Sequence, residues 1–241
     1  MKHITHFFAI AIVSMATTSA AHAWTINKSF DADADGSTCG NWDAATGSKV
    51  TSELAYGGGK SCKMSVTKGD TAFGKWGAIL YHPTNVTRGG EIWFRIRMYM
   101  PAGFNYDSTA EGNRLKFMRI HTRNASNENF GYDDWYINPK GTNPPFSFIY
   151  EGEQVWGILS AVKDAIALGS WDTYEYYVKL DTVPASKGGQ AIVRAWKNGT
   201  RIAELKDRVT LNTTDSYSDR THLFTYWNGG APPRNPSTSM M

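Results

Sequence analysis

The stretch "LKFMRIHTR", residues 115–123, decides how this chain is read. Its residue types suit a strand, and along a strand successive side chains point to opposite faces. One face would then carry Leu115, Phe117, Arg119, His121 and Arg123. Two guanidinium groups and an imidazole side by side on a sheet surface suit either plain solvent or an anionic ligand. The rest of the chain decides between them.

The same two-residue period recurs at 61–67, 75–81, 91–100, 114–123, 145–151, 173–180, 190–197 and 221–227, with Gly, Pro, Asn and Asp clustered between the segments. Many short strands with turn signals between them predict an all-β fold, a β-jelly-roll sandwich of two antiparallel sheets, rather than a parallel α/β fold. "KNGT" at 197–200 carries the Asn-Gly pair of a tight hairpin and turns strand 190–197 back into the next one. The one helix-like stretch, "LSAVKDAIAL" at 159–168, reads as a helical turn or surface loop.

Splitting each strand into faces repeats the pattern of the opening stretch. Strand 91–100 separates Ile92, Phe94, Ile96 and Met98 from Trp93, Arg95, Arg97 and Tyr99. Strand 190–197 places Ile192, Arg194 and Trp196 together, and strand 221–227 does so for His222, Phe224 and Tyr226. Arginine stems lying over rings on a solvated face would explain any one of these strands. Their recurrence, with few Asp or Glu on the same faces, points instead to one shared cationic and aromatic groove. Such a groove suits an acidic sugar polymer: arginine grips carboxylates in bidentate fashion, and rings stack on pyranose faces.

The first 23 residues contain Lys2, an apolar run from Phe7 to Val13 and the ending Ala21-His22-Ala23, the layout of a secretory signal peptide whose apolar core is too short to span a bilayer. Residues 24–241 are then expected to form a single jelly-roll domain, secreted or periplasmic. Removing Lys2 takes the formal charge from +3 to +2, too mild a balance to suggest nucleic acid or membrane as partner. Cys39 and Cys62 are the two cysteines, and in an oxidising compartment they are expected to pair, closing a loop worth roughly 3 kcal/mol.

Weaker signals complete the inventory. "DADADG" makes Asp31, Asp33 and Asp35 the candidate ligands for a structural Ca²⁺, although the twelfth position of an EF-hand-like loop would be Trp42 rather than Glu; a polar turn is the simpler reading. Glu151 and Glu153 in "YEGE" are spaced like a glycosidase carboxylate pair but lack the Glu-x-Asp-x-x-Glu strand of the laminarinase-like enzymes. His82 and His222 stand alone in the sequence and read as structural.

The succession "RGGEIWFRIRMYMPAGF", "LKFMRIHTR", "WDTYEYYVKL", "VRAWKNG" and "FTYWNGGAP" resembles the concanavalin A-like jelly-roll polysaccharide lyases, the group around glucuronan, alginate and heparin lyases. Alginate lyases of this fold carry Gln-Ile-His on one strand, an arginine on an earlier strand and the catalytic tyrosine on a late one. The resemblance implies Arg119-Ile120-His121, Arg95 or Arg97, and Tyr226 for those positions, with arginine standing where glutamine is usual. Members usually carry one more strand after the "YWNGGAP" segment. This sequence ends "PRNPSTSMM", so either that strand is absent or the reading is cut short, and an unpaired edge is expected.

The implied activity is β-elimination on a uronic-acid polymer, with no cofactor required. Arg119 would neutralise the carboxylate and His121 would remove the acidified proton, with Tyr226 protonating the leaving oxygen, or Tyr226 would serve as both base and acid where proton and leaving group lie on the same face of the sugar. Arg95, Arg97, Arg123, Tyr150, Arg194 and Trp196 would bind the polymer, and the protein would work as a monomer. A non-catalytic carbohydrate-binding jelly roll is the main alternative, and a glycoside hydrolase a lesser one.

Overall fold

A computed structural model of the protein describes residues 24–39, 48–66, 78–102, 114–138, 147–152, 155–158, 166–228 and 238–240. The expected signal peptide, Trp42, Glu153 and most of the 159–168 stretch lie outside these residues. Among the described residues the regular structure is strand throughout, apart from one 3₁₀ turn, Ala185–Lys187. The strands are β1 (Lys49–Thr51), β2 (Ser61–Val66), β3 (Ala78–Val86), β4 (Glu91–Met100), β5 (Arg114–Arg123), β6 (Asn129–Asn138) and β7 (Ser147–Gly152). They continue as β8 (Val155–Ile158), β9 (Ser170–Lys179), β10 (Ala191–Lys197), β11 (Thr200–Arg208), β12 (Tyr217–Asn228) and β13 (Thr238–Met240).

These form a six-stranded sheet in the order β3-β12-β5-β6-β7-β8, a four-stranded sheet in the order β11-β10-β9-β4, and a small sheet β1-β2-β13, with every ladder antiparallel. The two larger sheets pack face to face, as a β-sandwich must if each is to bury an apolar face. Phe117 and Trp135 from the six-stranded sheet meet Tyr174 and Tyr176 from the four-stranded sheet, with ring centroids 5.4–6.1 Å apart, and all four side chains are fully buried. Edge-on ring contacts of this kind add to the area term that dominates the core.

The strands expected at 91–100 and 114–123 form over those residues, and the Asn-Gly turn joins β10 to β11 with positive φ at both Asn198 (49°) and Gly199 (78°). Such angles give the turn the hand that matches the twist of its strands. Strands β1, β6, β8 and β13 fall outside the expected segments. β13 pairs with β2, so the chain does form a strand after "YWNGGAP". The alternation within β5 also fails at one place. The pairing with β6 slips between Lys116 and Met118, leaving Phe117 as the extra residue of a bulge. Phe117 therefore turns into the core, and Lys116 takes the outward place beside Arg119.

The Cys39–Cys62 disulfide forms as expected, across a sequence separation of 23. The "DADADG" carboxylates engage protein donors. Asp31 accepts hydrogen bonds from the Lys60 backbone N–H (2.8 Å) and the Ser29 hydroxyl (2.8 Å), Asp33 pairs with Lys28 (3.0 Å), and Asp35 accepts from the Ser52 N–H (2.7 Å). The segment is a polar turn tied to the β1–β2 region, and no cluster of three metal-ligating side chains occurs among the described residues.

Candidate active site

The outward face of the six-stranded sheet gathers the titratable groups of β5, β6 and β12. Antiparallel register sets Arg119 opposite Asp134 of β6 and His222 of β12, and sets His121 opposite Tyr132 and Arg220. Residues paired across a ladder share a face, so the opening stretch meets polar side chains on both flanks.

Arg119 and Asp134 form a bidentate pair, Nε to Oδ1 at 2.6 Å and Nη2 to Oδ2 at 2.7 Å. Lys116 Nζ lies 3.1 Å from the same Oδ2, and the Asp134 side chain has no solvent exposure. The cations also lie over rings: Arg119 is 4.5 Å from the Tyr132 centroid, and Lys116 is 4.9 Å from Tyr132 and 5.3 Å from Tyr136. Burial works against the Arg119 charge, but Asp134 outweighs it and raises the guanidinium pKa. Arg119 therefore offers a ligand only the donors that Asp134 leaves unused.

Beside this network the His121 and His222 rings stack, centroids 5.3 Å apart and planes 12° from parallel, and both residues are buried. Asp219 lies next to them, with Oδ1 3.6 Å from His121 Nδ1 and Oδ2 accepting from Arg123 Nε at 2.7 Å. Arg123 also donates to the Asn127 carbonyl. Burial lowers the pKa of His121, and nearby Arg220 and Arg119 add to this against the pull of Asp219. Burial, with His121 and the arginines, takes His222 down to about 2. Burial alone would raise the Asp219 carboxyl, but His121, Arg220 and Arg123 hold it at about 2. At neutral pH the face thus presents neutral imidazoles among fixed charges.

Tyr226 stands opposite Lys116 in the β12–β5 ladder, after a register slip between Leu223 and Tyr226. On β7 it is Glu151, rather than Tyr150, that pairs with Asp134; Tyr150 pairs with Trp135.

The other expected polymer-binding residues lie elsewhere. Arg95 and Arg97 are on β4, and Arg194 and Trp196 on β10, both strands of the four-stranded sheet. They occupy its outward face, on the opposite side of the sandwich from His121. The single groove is therefore two surfaces. Nor are acids scarce on them: Glu175 pairs with Arg95 (3.1 Å) and Glu204 with Arg194 (2.6 Å), just as Asp134 and Asp219 pair with the arginines of β5. Asp134 and Tyr132 went unread because two adjacent aspartates and Gly131 interrupt the apolar rhythm of β6; the alternation Tyr132, Asp134, Tyr136 was the available signal.

No family model matches the chain, and no curated protein matches it in sequence. Solved structures do share its backbone. An endo-β-1,4-glucuronan lyase from the fungus Trichoderma reesei superposes with a TM-score of 0.58 at 11% identity, over 86% of this chain and 90% of that one. Alginate lyase Aly36B gives 0.59 at 13% identity, over 88% and 90%. Alginate lyase vAL-1 from Chlorella virus gives 0.52 at 15% identity, over 84% and 91%. The fold is that of the jelly-roll polysaccharide lyases. Within this jelly-roll fold the His121–His222 face belongs to the six-stranded sheet, and the Trp93–Trp196 face to its four-stranded partner.

Proposed function

We propose that the protein is an exported polysaccharide lyase that cleaves a uronic-acid-containing polymer by β-elimination on the outward face of the six-stranded sheet. The observation that carries this reading is the buried His121–His222 stack, held neutral among arginines and set against Asp219, in a fold shared with glucuronan and alginate lyases. Export is supported by the pattern of the first 23 residues and by the disulfide.

Elimination has three requirements. The substrate carboxylate must be neutralised, which Arg119 and Lys116 serve from their anchor on Asp134. The proton on the carbon beside that carboxylate must then be taken, and a neutral imidazole is a competent base. The electron pair so released forms the carbon–carbon double bond while the bond to the glycosidic oxygen breaks. Tyr226 supplies a proton to that oxygen and recovers one from solvent, while the protonated His121 returns its proton to solvent. Asp219, with Oδ1 3.6 Å from His121 Nδ1, would stabilise the imidazolium that forms when the ring takes the proton.

The test is to incubate the mature protein with glucuronan, alginate, heparin and hyaluronan and to follow the ultraviolet absorbance of the new double bond. The reading expects a rise with one polymer, and a loss of that rise on the order of 10²-fold or more in His121→Ala and in Tyr226→Phe. Undiminished turnover in both variants would remove these residues from the mechanism. A polymer that binds without any rise would return the protein to the binding-module alternative.

A further inference from the structure

The outward face of the four-stranded sheet has no place in the elimination chemistry, yet it is not an ordinary charged surface. Trp93 is 57% exposed, a large apolar area left in water at a sheet edge. Its ring stacks on Trp196 (centroids 5.2 Å apart, planes 29° from parallel) and meets Tyr177 at 4.6 Å. Further along the same strand Tyr99 meets Trp171 at 5.7 Å, and Trp171 meets the half-exposed Tyr56 at 5.8 Å. Between the two aromatic clusters stand Arg95 and Arg97, both exposed. Arg97 lies 4.5 Å from the Tyr56 centroid, and Arg95 pairs with Glu175.

The order along β4 is therefore Trp93, Arg95, Arg97, Tyr99: ring, cation, cation, ring. Alternate residues of a strand are ~6.8 Å apart, so the strip runs for roughly 20 Å. A strip of that length suits an extended chain better than a single small molecule. The axial C–H groups of a pyranose carry partial positive charge and settle on the negative face of an indole. Exposed arginines exchange surface partners at little cost, because a solvent-exposed ion pair is worth only ~0–1 kcal/mol. An anionic group with planar, two-oxygen geometry fits them best.

We propose that this face is a second polysaccharide-binding surface, separate from the His121 face, where Trp93 and Trp196 stack on sugar rings while Arg95 and Arg97 take uronate carboxylates. It would hold a distant stretch of polymer or keep the protein on an insoluble matrix. The ligand class is shared with the lyase reading, but the binding claim stands without turnover.

The experiment is affinity electrophoresis of the full mature chain in gels containing glucuronan, alginate, heparin or hyaluronan, with a neutral glucan as control. Turnover is measured in parallel on polymer and on a tetrasaccharide. The proposal expects retardation by at least one acidic polymer and not by the neutral glucan. Trp93→Ala should weaken it roughly tenfold, and Arg95→Ala with Arg97→Ala should weaken it and flatten its dependence on salt. Tetrasaccharide turnover should stay unchanged in each variant. Trp93 lies exposed on an edge strand, and an unshifted thermal midpoint in Trp93→Ala separates lost binding from lost folding; the arginine pair provides a second variant that leaves the ring stack in place. Retardation that survives both variants, or that His121→Ala alone abolishes, would overturn the proposal, as would a wild-type protein that no acidic polymer retards. Loss of retardation in the Trp93 and arginine variants with no double bond ever formed would retain this surface and remove the lyase reading.

Discussion

Two arginine-bearing strands, β5 and β4, look alike in sequence and behave differently in the fold. On β5, Arg119 sits over a carboxylate with no solvent exposure, and the neighbouring imidazoles are buried and kept neutral. On β4, Arg95 is 63% exposed and pairs at the surface, and the indole beside it faces water. Burial makes the difference. A charge taken out of water must be matched by a partner of opposite sign, whereas a charge left in water can change partners freely. The first arrangement fixes groups in place, as chemistry requires, and the second leaves them available to a mobile polymer.

The largest expected effect comes from breaking that match. Asp134→Asn would leave Arg119 and Lys116 without their buried counter-charge, a loss of about 3–5 kcal/mol. Thermal unfolding should then fall by roughly 6–20 °C for a chain of this size. A loss below about 1 kcal/mol would show that the two faces are not different in kind. Reducing the Cys39–Cys62 disulfide, which lies in neither face, should cost about 3 kcal/mol in denaturant unfolding through the regained freedom of the loop. That loss should add to the Asp134→Asn effect without interacting with it.

Acid should act chiefly through the buried histidines. Burial lowers the pKa of His82 to about 4 and, with its neighbours, that of His222 to about 2. Both groups are neutral in either state above about pH 7. Below about 6.5 the unfolded chain binds protons that the folded chain refuses, so stability is lost as the pH falls. His82 alone accounts for roughly 2 kcal/mol between pH 7 and pH 5. The depressed Asp219 carboxyl adds a further loss only below its ordinary value, as pH drops through about 2. Denaturant unfolding at pH 7 and pH 5 reads this slope, and His222→Gln should flatten it. At the small end, Glu175→Gln, which removes the partly buried partner of the exposed Arg95, should change stability by no more than about 1 kcal/mol.

The fold was legible where strand period and turn chemistry agreed. The bounds of β4 and the Asn198-Gly199 hairpin were plain because alternation and positive-φ turn residues coincide there. The candidate site was legible on β5 itself, since Arg119, His121 and Arg123 do share a face. Its counter-charges were not, because Asp134 and Asp219 come from neighbouring strands whose register no single segment encodes. Nor could alternation foresee the Phe117 bulge, which exchanges a ring for Lys116 at the edge of the site. A strand's two faces can be read locally, but which sheet receives the strand is settled by packing over the whole sandwich. For that reason β4 and β5 looked like walls of one groove and stand on opposite sides of the molecule.

The most direct test of the proposed chemistry is to digest the responsive polymer in heavy-oxygen water and weigh the oligosaccharides. Elimination breaks the glycosidic bond without adding water. The account therefore predicts products that carry no heavy oxygen at the cleaved bond and one fragment that is lighter than its hydrolytic counterpart by one water. Heavy oxygen incorporated at the new reducing end would identify a hydrolase and contradict the account.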